Sequence, residues 1–259
     1  MLAFALKRLG VALLVALTVS LITFSMIYVS GDPAIAIAGE GARAQDIEAI
    51  RKFYGFDRPI IEQYVTWLLG ALQGDFGRSY ALRQPVADVV FTRLPVTMAL
   101  GALAIAFALL LAIPLGVLAA VRPNSLVDRF ALTIAVVGQA MPTFWFALTM
   151  VLWLGVHWRL LPITGSGSWQ NFVMPAIALG YYVTPAIMRL TRAGVLEVLS
   201  SDYIRTARAK GLRPMTVLFK HALRNAIIPV VSLSAVQFGF MLGGSIVIET
   251  IFQINGLGY

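Results

Sequence analysis

LPVTMALGALAIAFALLLAIPLGVLAAV, residues 94–121, carries no charged side chain from its first position to its last. About 20 apolar residues in a helix cross the hydrocarbon of a bilayer, so this stretch decides the fold class. Four more uncharged stretches repeat it: Leu9 to Gly31, Phe130 to Trp158, Leu160 to Met188 and Asn225 to Ile248. The one after Leu160 begins with the polar run ITGSGSWQN, which puts the start of its membrane part near Phe172. The chain reads as an all-α membrane protein, a polytopic helical bundle with five transmembrane helices.

Composition points the same way. The sequence is 59% hydrophobic and 12% charged, against about 25% charged in ordinary soluble domains. There is no Cys, which excludes disulfide and thiolate chemistry. His157 and His221 stand too far apart in the sequence to suggest a metal site. No G-x-x-x-x-G-K-[ST] phosphate loop, G-x-S-x-G elbow or H-E-x-x-H pair occurs. The chain is therefore expected to hold no catalytic residue, metal or cofactor of its own. If ATP drives it, the energy arrives through another subunit.

Orientation follows from the Lys and Arg residues. With the N-terminus in the cytoplasm, the cytoplasmic segments hold Lys7, Arg8, Arg122, Arg129 and the basic residues from Arg189 to Arg224, opposed by Asp128, Glu197 and Asp202. The long interval from Asp32 to Arg93 is nearly balanced, and long loops count little in the positive-inside rule. The net charge of +8 is thus a topology signal with an attraction to anionic membrane lipid. Nucleic acid is not an expected partner, because no basic soluble domain with an aromatic platform is present.

Three regions follow: a transmembrane anchor over 1–31, an extracytoplasmic segment over 32–93 and a core over 94–259. The first stretch is too long for a signal peptide and lacks a small-residue cleavage site. In the second region Ile47, Ile50, Phe53 and Tyr54, then Ile61, Tyr64, Val65, Leu68 and Leu72, recur at helical spacing and predict two amphipathic surface helices. QGDFGRSY, Gln73 to Tyr80, breaks the second of them and leads to a short helix before Pro95. Asp75 in it reads as a helix-ending turn residue or as a contact for a partner.

Between the last two spans lies DYIRTARAKGLRPMTVLFKHALRNAIIP, Asp202 to Pro229. Ser200, Ser201 or Asp202 is placed to cap a short helix, Gly211 to supply the backbone freedom needed at its end, and Pro214 to open a second piece. Tyr203, Ile204, Ala207 and Leu212 then stand available to fill a groove on a partner. Inside the membrane, Pro114, Pro142, Pro175, Pro185 and Pro229 are expected to kink or begin helices. Gly239, Gly243 and Gly244 are expected to permit close helix packing. Gln139, Tyr181, Tyr182, Thr184, Ser234 and Gln237 are costly to leave in lipid and are assigned to the bundle interior. Glu249, at the edge of the last span, could bind the amino group of a peptide, but reads better as a structural turn residue at the water interface.

On these residues the chain resembles the permease subunits of ABC importers, most closely the peptide and nickel branch. GFDRPIIEQYVTWLLGALQGDFGRSY is similar to the extracytoplasmic segment of dipeptide and oligopeptide permeases, and GQAMPTFWFAL, around Pro142, to the family's third conserved span. The cytoplasmic run resembles the family's coupling loop. Its general pattern, E-A-A-x-x-x-G then I-x-L-P, has Arg205 at the Glu and Thr206 at the first Ala, and the proline comes late, at Pro229. TARAKGL and HALRNA are typical of the peptide and nickel branch.

The resemblance implies a type I ABC importer permease fold in the bacterial inner membrane. It implies four kinds of partner: a second homologous permease, two ATP-binding subunits that hold ATP and Mg, an extracytoplasmic substrate-binding protein and lipid. Asp202, Tyr203, Ile204, Ala207, Arg208, Lys210, Gly211 and Leu212 would couple to the ATPases. Gln139, Pro142, Tyr181, Tyr182, Ser234 and Gln237 are candidates for the translocation path, and Asp75, Gly77, Arg78 and Ser79 for contact with the binding protein. The implied cargo is a di- or oligopeptide, with nickel, glutathione or opines as alternatives. The family has six spans and this sequence stops at GLGY after the fifth, which leaves a truncated, non-transporting permease or scaffold as another reading. A secondary transporter would show inverted repeats and buried ionisable residues, and neither is visible in the sequence.

Overall fold

A computed structural model describes residues 2–29, 31–39, 41–79 and 82–259. Among them the chain is helical, with one isolated β-bridge between Arg78 and Pro85. Its helices are α1 (Leu2–Val29), α2 (Pro33–Ala38), α3 (Ala44–Tyr54), α4 (Ile60–Leu72), α5 (Val86–Val121), α6 (Leu126–Ala140), α7 (Thr143–Met150), α8 (Gln170–Leu199), α9 (Asp202–Ala209), α10 (Pro214–Thr216), α11 (Arg224–Gly244) and α12 (Ile246–Phe252). Wider π-type turns extend α7 over Val151–His157 and join α10 to α11 over Val217–Leu223. Two compact units result, Met1–Val90 and Phe91–Tyr259.

By length and composition α1, α5, α8 and the Pro214–Gly243 helix suffice to cross a membrane. The expected third span is not one straight helix. It is the pair α6 and Thr143–His157, bent by 97° at Met141 and Pro142, and it makes a fifth crossing only as a broken span. The physical cause is local: a residue before proline is pushed out of the helical region, and Met141 is extended at φ −81, ψ 128. Pro95, Pro114, Pro175, Pro185 and Pro229, by contrast, lie within helices that continue past them. The short helix expected before Pro95 is accordingly the start of α5.

In the first unit α2, not foreseen from the sequence, begins at Pro33 with Asp32 as its cap, Asp32 Oδ1 accepting from the Ala34 N–H at 2.8 Å. The other carboxylate oxygen of Asp32 accepts from Arg51 of α3, which also donates to Glu48 at 2.6 Å. The guanidinium of Arg51, and then the Ala34 amide, hold the Asp32 carboxyl below the usual carboxylate range. The helix α4 lies against α1. Its residues do not all face inward as an amphipathic periodicity suggests: Tyr64 and Leu68 are half-buried, whereas Ile61, Val65 and Leu72 are exposed.

The second unit is organised on α8, with α6, α7, α11 and α12 packed around it. Small side chains on α5 at every fourth position, Ala104, Ala108, Ala112, Gly116 and Ala120, are all buried. A methyl group on Gly180 would stand 2.3 Å from the Ala104 carbonyl oxygen, and one on Gly116 2.7 Å from that of Met188. Within this chain nothing lies within 4 Å of a methyl at Gly239 or Gly243, so neither sets a helix crossing here.

Candidate functional site

The helix α9 is held to its own chain by an apolar face. Ile204 and Ala207 are buried against Val217 and Ala222, with Val198 and Leu199 beside them. These two side chains are therefore unavailable to fill a partner's groove, which corrects the sequence reading: at spacing i, i+3 they form the inward ridge of the helix. Its outward surface is Asp202, Tyr203, Arg205, Arg208 and Lys210, continued by Gly211, Leu212 and Arg213.

The ends of α9 are built by backbone rather than by the expected serine cap. Ser201 stands at the N-cap, but its hydroxyl donates back to the Val198 carbonyl at 2.6 Å. At the other end the Gly211 N–H donates to the Arg208 carbonyl and the Leu212 N–H to that of Ala207, with Gly211 at φ +74. That pair of bonds is a Schellman turn, whose left-handed residue carries no Cβ penalty when it is glycine. Pro214 opens α10, as expected. Tyr203 is tied across the loop, its hydroxyl accepting from Asn225 Nδ2 at 2.7 Å. The result is a rigid basic hairpin continuous with α8 on one side and α11 on the other.

Two features behind this loop are visible only in three dimensions. Arg192 of α8, ten residues before Asp202, donates through Nε and Nη2 to the two oxygens of Asp128 on α6, at 2.7 and 2.6 Å. Asp128 is 2% exposed, and it also accepts from the Asn124 N–H at 2.9 Å. Sequence reading counted Asp128 as an opposing charge in a cytoplasmic loop; nothing in its spacing named a partner sixty-four positions away. On the same face Arg189 donates to Gln139 at 2.9 Å.

At the break of the third span Tyr181 donates to the Met141 carbonyl at 2.8 Å, and its ring packs on Phe146 with centroids 4.4 Å apart. Between α5, α6, α7 and α8 lies a cavity of about 210 Å³ lined by residues including Phe107, Ile134, Ile177, Tyr181, Thr184 and Met188. Both of its hydroxyls are engaged, since Thr184 bonds the Gly180 carbonyl. An apolar cavity of this kind would leave a peptide's backbone polar groups unpaired.

The six candidates for a path do not form one lining. Tyr181 is joined to the break before Pro142; Gln139 and Tyr182 are exposed on this chain rather than interior, because they occupy the outer faces of α6 and α8. Ser234 is buried but donates to the Val230 carbonyl of its own helix at 2.7 Å, and Gln237 is half-buried.

Glu249 departs further from expectation. It is fully buried in α12, not at a water interface. One carboxylate oxygen accepts from Thr97 and Ser245 at 2.8 Å each, and the other from the Tyr259 N–H at 2.8 Å. Thr97 in turn accepts from the Leu257 N–H at 2.9 Å. The carboxylate thus ties α5, α12 and the segment 256–259 together, a structural role as expected but in a dry setting.

In the first unit Asp75 is a turn residue: Oδ1 accepts from the Gly77 N–H at 2.9 Å. The Ser79 N–H donates to the Gln84 carbonyl, and the Ser79 hydroxyl accepts from the Leu82 N–H. Arg78 reaches the Arg83 carbonyl at 3.4 Å. These bonds shape a loop that presents Asp75, Phe76 and Arg78 outward. Tyr80, at the end of the expected breaker, lies outside the described residues.

Comparison with known proteins places the chain. Residues 112–259 match the family described as binding-protein-dependent transport system inner membrane component, and residues 1–101 match the N-terminal part of such membrane components. The glutathione transport system permease protein GsiC of Escherichia coli is 42% identical over the whole of this chain and 85% of its own length. The protein of the same name from Shigella boydii is 41% identical with the same coverage. Among solved structures, the MetNI methionine ABC transporter superposes with a TM-score of 0.54 at 21% identity, over 66% of this chain and 77% of the other. An amino acid ABC transporter superposes at 0.50 and 18% identity, over 66% and 75%. These two likenesses concern the fold.

Proposed function

The chain belongs to the family of binding-protein-dependent transport system inner membrane components, and on that premise we propose that it carries short peptides inward, glutathione among them, as one of two permease subunits. Glutathione is itself a tripeptide, and the similarity to glutathione permeases over the full chain supports that cargo over nickel or opines. The partners in this proposal are a second homologous permease, two ATP-binding subunits that hold ATP and Mg, and an extracytoplasmic binding protein. The N-terminus is cytoplasmic, which puts α9 and α10 on the cytoplasmic side with the cluster of Arg and Lys.

The observation that carries the reading is the hairpin of α9 and Gly211. It has an inward ridge, Ile204 and Ala207, that locks it to Val217 and Ala222, and an outward face, Tyr203, Arg208, Lys210 and Leu212, free to meet an ATPase. Movement of the ATPases would push on that face, and α8 and α11 would carry the push into the bundle as rigid bodies. Asp75, Gly77, Arg78 and Ser79 present a surface for the binding protein, and the exposed Gln139 and Tyr182, rather than the apolar cavity beside Pro142, face the path in this proposal.

The chain tagged at its N-terminus, solubilised gently from its host, is expected to bring down two ATP-binding subunits and a second permease. Recovery of the chain alone would overturn the assignment. Reconstituted with those partners, Gly211→Val is expected to keep assembly and ATP hydrolysis while uptake of labelled glutathione falls at least about tenfold, because a β-branched residue strains a left-handed turn. Unlabelled di- and tripeptides are expected to compete with glutathione for uptake; indifference to both would remove the peptide cargo.

A further inference from the structure

The thirteen residues of α4 divide into three arcs. One lies against α1: the hydroxyls of Tyr64 and Ser20 are 2.8 Å apart, Tyr28 donates to Gln63, and the Phe24 ring lies 5.5 Å from that of Tyr64 and 6.2 Å from that of Trp67. A second arc is polar, Glu62 and Thr66. The third, Ile61, Val65, Leu69 and Leu72, recurs at i, i+4, i+8 and i+11, which is one ridge of a helix. All four are exposed, Ile61 to 78% and Leu72 to 77%. A ridge of this kind on an extracytoplasmic surface helix would sit in water at a cost of about 25 cal/mol per Å².

The contacts with α1 give its depth. Ser20 lies nine residues before the end of α1 at Val29, about 13 Å along the axis at 1.5 Å per residue. The span Ala3–Val29 is strongly apolar, with a mean hydropathy of 2.3, and none of its apolar window is buried in the protein. With the charged Lys7 and Arg8 at the other end of α1, the roughly 20 apolar residues that cross the hydrocarbon run from Leu9 to Val29. A hydroxyl bonded to Ser20 therefore stands well below the level where α1 leaves the hydrocarbon, and the free ridge of α4 continues the lipid-facing surface of α1.

We propose that α4 is embedded in one leaflet of the bilayer, with Ile61, Val65, Leu69 and Leu72 against acyl chains and Glu62 and Thr66 toward the headgroups. Interfacial helices commonly sink about 5–10 Å, and Tyr and Trp favour that level. The α1–α4 pair is then a two-helix membrane anchor, and the ridge of α4 is closed to a soluble extracytoplasmic partner. This proposal does not depend on what the protein transports.

The absence of Cys from the sequence makes the test direct. Ile61→Cys, Leu69→Cys, Leu72→Cys and, as the aqueous reference on α3, Lys52→Cys are each spin-labelled in the full chain, with its copurifying subunits, in vesicles of phosphatidylethanolamine and phosphatidylglycerol. Power saturation against oxygen and a water-soluble nickel chelate then reports the surroundings. The oxygen-to-nickel accessibility ratio is expected to exceed that of Lys52→Cys by about threefold or more at all three ridge positions. Nickel access equal to the reference would place the ridge in water and overturn the proposal. Immobile labels reached by neither probe would overturn it in favour of a protein partner. Since the substituted side chains are exposed, the labels test the surroundings rather than the fold.

Discussion

Tyr181 on α8 donates its hydroxyl to the carbonyl of Met141, 2.8 Å away, at the bend between α6 and α7. A proline cannot donate the backbone bond that would continue a helix, so a break at Pro142 leaves carbonyls without partners in a medium that supplies none. Tyr181 satisfies one of them and packs its ring on Phe146 just past the break. Tyr181→Phe is expected to keep the ring contact and lose the bond, at a cost of about 1 kcal/mol, the scale measured for such bonds in membrane proteins. The check is equilibrium unfolding in mixed micelles, and an unchanged stability would show that the bend does not depend on this bond.

The positions of the spans were legible because composition alone reports them, and the Gly211 turn because glycine before a second helix start is a local signal. The bend was not. Pro142 looks like Pro114 or Pro185 in sequence, yet those helices continue, and what separates the cases includes a hydroxyl forty positions away. The close helix crossing was sought in FGFMLGGS, whereas within this chain the close approaches are Gly180 against Ala104 and Gly116 against Met188, in the buried four-residue series Ala104, Ala108, Ala112, Gly116 and Ala120. Asp128 and Glu249 were read as interface charges because their partners, Arg192 and Thr97, are remote in the chain.

That crossing makes a contrasting pair of substitutions. A methyl group on Gly180 would meet the Ala104 carbonyl at 2.3 Å, an atom of the backbone that cannot swing aside. Gly180→Ala is expected to force α5 and α8 apart and cost about 1–3 kcal/mol. Gly239→Ala, with open space around it, is expected to be neutral or stabilising by up to about 1 kcal/mol through helix propensity. Thermal unfolding of the purified chain separates the two, and equal effects would remove the crossing as the cause.

Asp128 and Arg192 share two hydrogen bonds that fasten α6 to α8. Asp128→Ala leaves a guanidinium only 23% exposed without its partner, and breaking such a buried pair costs about 3–5 kcal/mol, discounted here to about 2 because Arg192 reaches solvent. The double variant Asp128→Ala, Arg192→Ala is expected to be more stable than Asp128→Ala alone, since no charge is then stranded. A double variant as unstable as the sum of the single ones would show that the two residues act independently.

The Asp32 carboxyl is held low by Arg51 and by the Ala34 amide, which gives α2 and α3 a defined pH response. A depressed carboxylate pKa stabilises the folded form above the unfolded value, near 4. That contribution is lost as pH falls through the lowered folded value. Hydrogen exchange of α2 and α3 amides should therefore accelerate in acid beyond its intrinsic pH trend. Asp32→Asn should show fast exchange at every pH and no such step. High salt should shrink the step, because both groups are partly exposed.

The carboxylate of Glu249 is enclosed by the very segment it organises. A methyl on Gly256 would lie 2.5 Å from both Glu249 Oε2 and Thr97 Oγ1, and one on Gly258 3.0 Å from Oε2. The two glycines of NGLGY are thus required by close approach to an acid, which explains their position better than backbone freedom does. Glu249→Gln keeps the shape but turns an amide N–H₂ toward donors, stranding at least one of them at about 1–3 kcal/mol. Gly256→Ala pushes the same segment off the carboxylate. Because both remove one network, the double variant is expected to cost clearly less than the sum of the single variants, a coupling of about 1 kcal/mol or more. Additive losses in equilibrium unfolding would mean that Glu249 and the 256–259 segment are stabilised separately.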